Sequence, residues 1–286
     1  MRTILPRFVA ALAAGVLGDR FNGPALDTVT YTGTAIGASL VAGTIATGDS
    51  FQIRNTNGGS PAWLLQAWSD HQVAGIVRIR SPKFHDNVDG IRWRAQIGVL
   101  DPQIPWGAAQ ILYPQDVLTG ELSGSAVAGD IESVVMQIYY PDLMGSAARL
   151  QTWDFVKGKM KNLIGQRIAM TIGSTTGYNG ARAINADTDL LKANTDYAYL
   201  GATSDVETAA ITLKGPDTGN YRVAVPGENG LVHHTNYWFK RLSIATGFPL
   251  IPIINSANKG GTQIEVVGDE NGGTANVTLW LAELGN

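Results

Sequence analysis

The side chains able to carry acid–base or metal chemistry are few and scattered. The histidines are His71, His85, His233 and His234. His85-Asp86 with Asp89 has the residue types to hold a divalent ion or move a proton, but either role needs a spatial partner that spacing does not supply. His233-His234 falls between a turn and a strand, where adjacent side chains point to opposite faces, so the two do not form one metal site. Asp187, Asp189 and Asp196 sit in one polar loop, and Asp269, Glu270 and Asn271 in another. Calcium asks for about six to eight oxygens, and neither run has the alternating acids, Gly and terminal Glu of an EF-hand. No GxSxG elbow, P-loop or HExxH is present. A two-carboxylate glycosidase stays open, because nothing singles out a pair.

Tryptophans at Trp63, Trp68, Trp93, Trp106, Trp153, Trp238 and Trp280 would make a sugar platform if they lined one face. Most alternate with apolar neighbours, as core or interface residues do. Asn276-Val277-Thr278 matches a glycosylation acceptor but lies inside an expected strand. Cysteine is absent, which removes disulfides, thiolate chemistry and Cys-ligated metals. The net charge of −3 gives no bulk attraction to nucleic acid or an anionic membrane. The expectation is a protein that is not an enzyme, with no catalytic, cofactor-binding or metal residues.

The elements that would position such residues are β-rich. Runs at 28–32, 50–54, 63–68, 74–80, 91–97 and 130–140 alternate or are rich in β-branched residues, between turns of Gly, Asn, Asp and Pro. The same grammar resumes at 167–172, 197–200, 209–214, 221–225, 236–244, 250–254, 262–267 and 275–284. Thr175–Asn194 reads as a long polar loop with a little helix at Ala186–Leu191. Between the halves, Leu143, Ala147, Leu150, Trp153, Val156, Met160 and Leu163 recur every three or four residues, which predicts an amphipathic helix over Leu143–Ile164 that stops at Gly165. At the start, Arg2 and Arg7 precede an apolar run, Phe8–Leu17, which has the grammar of a secretory signal and is too short to span a bilayer. It is read as an amphipathic helix that docks on a neighbour or on lipid.

The halves echo each other. Trp93 and Trp238 each lie in an expected strand, followed by Ile-Pro or Phe-Pro steps, a Gly-rich turn (Gly120–Gly129, Gly268–Gly273), and a long closing strand (Ser133–Tyr140, Ala275–Ala282). Tandem copies of one β unit define a specific class of protein. The expected fold is all-β: an N-terminal helical arm (1–22), a first jelly-roll β-sandwich (23–142), a linking helix (143–165) and a second jelly-roll β-sandwich (166–286).

This layout resembles the double-jelly-roll major capsid proteins of tailless, membrane-containing icosahedral bacteriophages, the PM2-like and PRD1-like viruses. The features that carry the resemblance are the closing strands, the Leu143–Ile164 stretch and the Met1–Leu17 segment. It implies a structural virion protein whose homotrimers form pseudo-hexagonal capsomers, assembled in the host cytoplasm. The implied partners are copies of itself, other capsid proteins, and an internal lipid membrane met by Met1–Leu17, without specific nucleic acid binding. Rival readings are a phage spike, fibre or tail component, and a secreted carbohydrate-binding protein or glycosidase with two sandwiches. A tailed-phage α/β shell protein would need a long charged spine helix, which the β content argues against.

Overall fold

The computed structural model describes residues 22–45, 51–99, 110–172, 176–227, 235–268 and 273–285. The expected helical arm at 1–22 lies, but for its last residue, outside them. The first half contains β1 (Gly23–Thr34), β2 (Val41–Ala42), β3 (Thr44–Ile45), β4 (Ala62–His71), β5 (Gly75–Arg80), β6 (Ile91–Ala95), β7 (Gly98–Val99), β8 (Gln110–Leu112), β9 (Thr119–Ser123) and β10 (Ile131–Leu143). The second contains β11 (Leu150–Gln151), α1 (Trp153–Lys159), β12 (Met160–Ile172), β13 (Tyr178–Ala183), β14 (Asp196–Ser204), β15 (Thr208–Lys214), β16 (Val223–Gly227), α2 (Trp238–Thr246), β17 (Ile251–Asn255), β18 (Gln263–Val267) and β19 (Gly273–Leu284).

The strands form two sandwiches with the same connectivity. In the first, a sheet ordered β3-β1-β10-β4 with β7 and β8 on β4 goes with a sheet ordered β2-β9-β5-β6. In the second, β12-β19-β14-β17, with the short β11 on β17, goes with β13-β18-β15-β16. Counting the principal strands of each half from one to eight, with β7 and β8 together as the sixth, both read 1-8-3-6 against 2-7-4-5. That is the wound order of a jelly roll. The two sheets of each roll are called here the long sheet (1-8-3-6) and the short sheet (2-7-4-5). The expected closing strands are the eighth strand of each roll.

A buried β10 explains how the rolls join. Every residue from Ile131 to Tyr140 is buried, so both faces of the strand are covered. Val134, Met136, Ile138 and Tyr140 enter the core of the first roll. Val135 and Tyr139, with Leu26 and Trp68, join the core of the second. The outer face of the first long sheet is therefore packed against the second roll.

Three expectations change. The Leu143–Ile164 helix is confined to α1, seven residues capped by Thr152, whose hydroxyl accepts from Phe155 N. Leu143 instead ends β10, Gly145 turns the chain at φ +75°, Leu150 is in β11, and Met160 and Leu163 are in β12. The apolar spacing of three and four collected the ends of four elements. The 236–244 stretch, expected as a strand, forms α2. Trp238, Phe239, Leu242 and Ser243 are its buried residues, one helical stripe, and Gly247 at φ +73° caps it. Trp93 and Trp238 are thus not equivalent. The Thr175–Asn194 loop contains β13, and no helix forms at Ala186–Leu191. Of the 50–54 run, one bridge, Gln52 to Val117, is formed among the described residues.

Candidate assembly faces

The seam between the rolls shows which faces this chain puts together. On the first long sheet, the outward side chains of β1, β10 and β4 form cross-strand rows: Thr28–Gln137–Gln66, Thr30–Val135–Trp68 and Thr32–Ser133–Asp70. The first two rows meet the outer face of the second short sheet. Trp68 Nε1 donates to Ala209 O at 2.8 Å, and Ala224 N donates to Thr28 Oγ1 at 3.2 Å. Gln137 Nε2 donates to Ala224 O, while its Oε1 accepts from Gln66 and from Trp238 Nε1. The hydroxyls of Thr30 and Tyr178 bond at 3.0 Å. Polar atoms buried in a seam keep their cost low only when paired in this way. Aromatic rings pack beside these bonds: Trp68 meets Trp238 edge-on at 5.5 Å, and Tyr139 stacks on Phe248 at 5.0 Å.

One face of each kind is left over. The outer face of the first short sheet carries Ile76, Arg78 and Arg80 on β5, Arg92 and Arg94 on β6, and Glu121 on β9, while Val77, Ile79 and Leu122 point into the core. Glu121 pairs with Arg78 and, at 3.1 Å, with Arg80. Arg92 and Arg94 are exposed and have no ion pair among the described residues. A groove of about 570 Å³ runs beside them over Gly75, Ile76, Ser123 and Gly124. The outer face of the second long sheet carries Gly165, Arg167 and Ala169 on β12, Thr278 and Trp280 on β19, and Thr203 on β14. Trp280 Nε1 donates to Thr203 Oγ1 at 3.3 Å.

Among the described residues, those weighed for chemistry are not brought together. Asp187 pairs with Arg182, Asp189 with Lys259, and Asp196 with Arg149 at 2.6 Å. The Arg149 fork holds the Asp196 carboxyl below its usual range. Asp86 accepts the Val88 and Asp89 N–H groups and so shapes its own loop, and these bonds hold its carboxyl low. No group of three or more potential ligands exists among the described residues. His233, His234, Trp106, Asp269, Glu270 and Asn271 lie outside them. Asn276 is in β19, with its side chain on Asp205. Among the described residues, the tryptophans make no common platform. Trp63, Trp68 and Trp238 are at the seam, Trp93 reaches Ser69, and Trp153 lies under Lys240.

His71 is different: it is fully buried, with Nδ1 3.2 Å from the equally buried Glu132 carboxylate. Burial pushes His71 down to about 4 and Glu132 up, so both shifts favour uncharged forms. Glu132 accepts the N–H groups of Gln72 at 2.8 Å and Ser125 at 2.7 Å, which ties the turn after β4 to the turn after β9. This is a structural clasp, without access for a substrate. The arginine face was the feature that motif reading passed over. Its signal was Arg at alternate positions, Arg78/Arg80 and Arg92/Arg94, in two strands that pair.

No family model matches the chain, and no curated protein matches it. Among solved structures, the PBSX exported protein XepA is similar at 11% identity and a TM-score of 0.26, over 89% of this chain and 85% of that one. The major capsid protein P2 of bacteriophage PM2 is similar at 5% identity and TM-score 0.23, over 92% and 98%. The STIV major capsid protein is similar at 8% and 0.21, over 91% and 97%.

Proposed function

We propose that the protein is a structural virion protein, a capsid subunit that joins head to tail with copies of itself into a pseudo-hexagonal trimer and tiles an icosahedral shell. The observation that carries this reading is the seam. Within one chain, the outer face of a long sheet meets the outer face of a short sheet. The two contacting surfaces differ, so the contact is heterologous. Such contacts grow into a ring when the rotation closes, and into a filament when it does not. Each chain presents one unused surface of each kind. Three chains supply six rolls, and six similar contacts, three within chains and three between them, make a ring with a hexagonal outline. No reaction, cofactor or metal belongs to this role.

The test is the mass and shape of the purified protein, from light scattering after gel filtration with negative-stain images of the same peak. The expected result is a compact trimer with a hexagonal outline, or closed particles. A monodisperse monomer at micromolar concentration overturns the proposal, and an elongated trimer moves it to a spike or fibre.

A further inference from the structure

The two rolls can be aligned on their own irregularities, and the alignment predicts what fills the arginine groove. Each third strand carries one bulge against the eighth strand: between Leu64 and Gln66, opposite Ile138 and Gln137, in the first roll, and between Tyr199 and Gly201, opposite Leu281 and Trp280, in the second. Matching the bulges sets Gln137 with Trp280, Trp68 with Thr203, and Asp70 with Asp205. The seventh strands, Thr119–Ser123 and Gln263–Val267, are both five residues long with glutamate at the centre. Glu121 pairs in register with Arg78, which pairs with Arg92, and Glu265 with Thr212, which pairs with Ala224. Arg92 therefore stands where Ala224 stands, and Gly75 where Ala209 stands.

In the seam, Gln137 reaches Ala224 and Trp68 covers Ala209. On the unused long sheet, Trp280 holds the Gln137 position and leans onto Thr203, the Trp68 position. Its indole spans the places of Gln137 and Trp68, two of the residues that make the seam. On the unused short sheet, the corresponding places are Arg92 and Gly75, and both line the open groove. Gly75 holds β5 close against β9: a Cβ there would point inward, 1.8 Å from Ser123 O and 3.1 Å from His71 Nδ1.

We propose that Trp280 of one copy docks in the groove of the next, its ring against Arg92 and Arg94 and its edge over Gly75. This rests on the head-to-tail reading above and names its anchor. Guanidinium over indole is a favourable pairing, and Trp and Arg are the residues that most often dominate an interface. Arg167 takes the Thr30 place, whose seam neighbour Tyr178 lies beside the Arg222–Glu265 pair, and Glu121 is the matching carboxylate.

The experiment uses the full chain. Trp280→Ala, and separately Arg92→Glu with Arg94→Glu, are each run by light scattering, with far-UV circular dichroism to show that each is folded. Both should be monomers where the unaltered chain is a trimer, with the dissociation constant raised at least about 30-fold, and Trp280→Phe should keep part of the affinity. The decisive measurement is the mixture. The Trp280→Ala chain still has a groove, and the double arginine variant still has Trp280, so together they should form a species of two chains that grows no further. Trimers unchanged by either substitution overturn the Trp280–groove contact and leave the trimer standing. A mixture of folded monomers that does not pair also overturns it. An unaltered chain that is itself a monomer removes the head-to-tail reading as well.

Discussion

At the scale of single residues, the buried carboxylate of Glu132 carries more structure than its position suggests. It takes one N–H from each of two turns and faces His71. Gly124 packs so close that a Cβ there would lie 2.4 Å from the carboxylate, so the clasp leaves no room to relax. Glu132→Gln keeps one acceptor and turns an amide N–H toward the other donor, which should cost about 1–2 kcal/mol. Glu132→Ala orphans both N–H groups and opens a cavity, and should cost about 3–5 kcal/mol. Urea midpoints of the two variants check the order; equal losses would show that packing, and not the paired N–H groups, sets the cost. Sequence could not have found this site. His71 and Glu132 lie far apart in the chain, and His71 carried no motif.

At the scale of elements, legibility followed whether one segment held one environment. Ile131–Tyr140 is a single strand buried on both faces, and its near-continuous apolar run marked it. Leu143–Ile164 crosses four elements, so its apolar period belonged to none of them. The 238–246 helix is rich in aromatic and large residues that favour strands when read locally. Its identity is set by the surface it covers, since Trp238 packs on Trp68 and bonds Gln137 across the seam. The bulge in β14 is another choice made by packing. Gly201, at φ +158°, lies so close to the turn before α2 that a Cβ would sit 1.9 Å from Thr235 O. Gly201→Ala must displace backbone, and should lower stability by more than about 2 kcal/mol. Gly58→Ala, at φ +62° with nothing within 4 Å, carries only the conformational penalty of about 1 kcal/mol. Thermal unfolding of the pair measures the difference, and similar losses would mean that the turn yields.

At the scale of the whole molecule, the two rolls share one interior. The cluster that holds Ile211, Val225 and Leu281 of the second roll also holds Leu26, Trp68, Val135 and Tyr139 of the first. Separating the rolls would expose these side chains and strip partners from Gln137, Thr28 and Trp68. The long sheet of the first roll is therefore not finished without the second, and folding should be cooperative across the seam. Trp68→Ala tests this. It removes a buried indole and its bond to Ala209 O, a loss of about 3–5 kcal/mol. Native-state hydrogen exchange reads where that loss is felt. With coupled rolls, the slowest amides of β15 and β19 lose as much protection as those of β4 and β10, because one global opening governs both. With independent rolls, the loss stays in the first half and β19 is unchanged. Coupling matters for the proposed assembly, because the two unused faces lie on different rolls. A ring that closes needs the angle between those faces held fixed, and the seam is the joint that holds it.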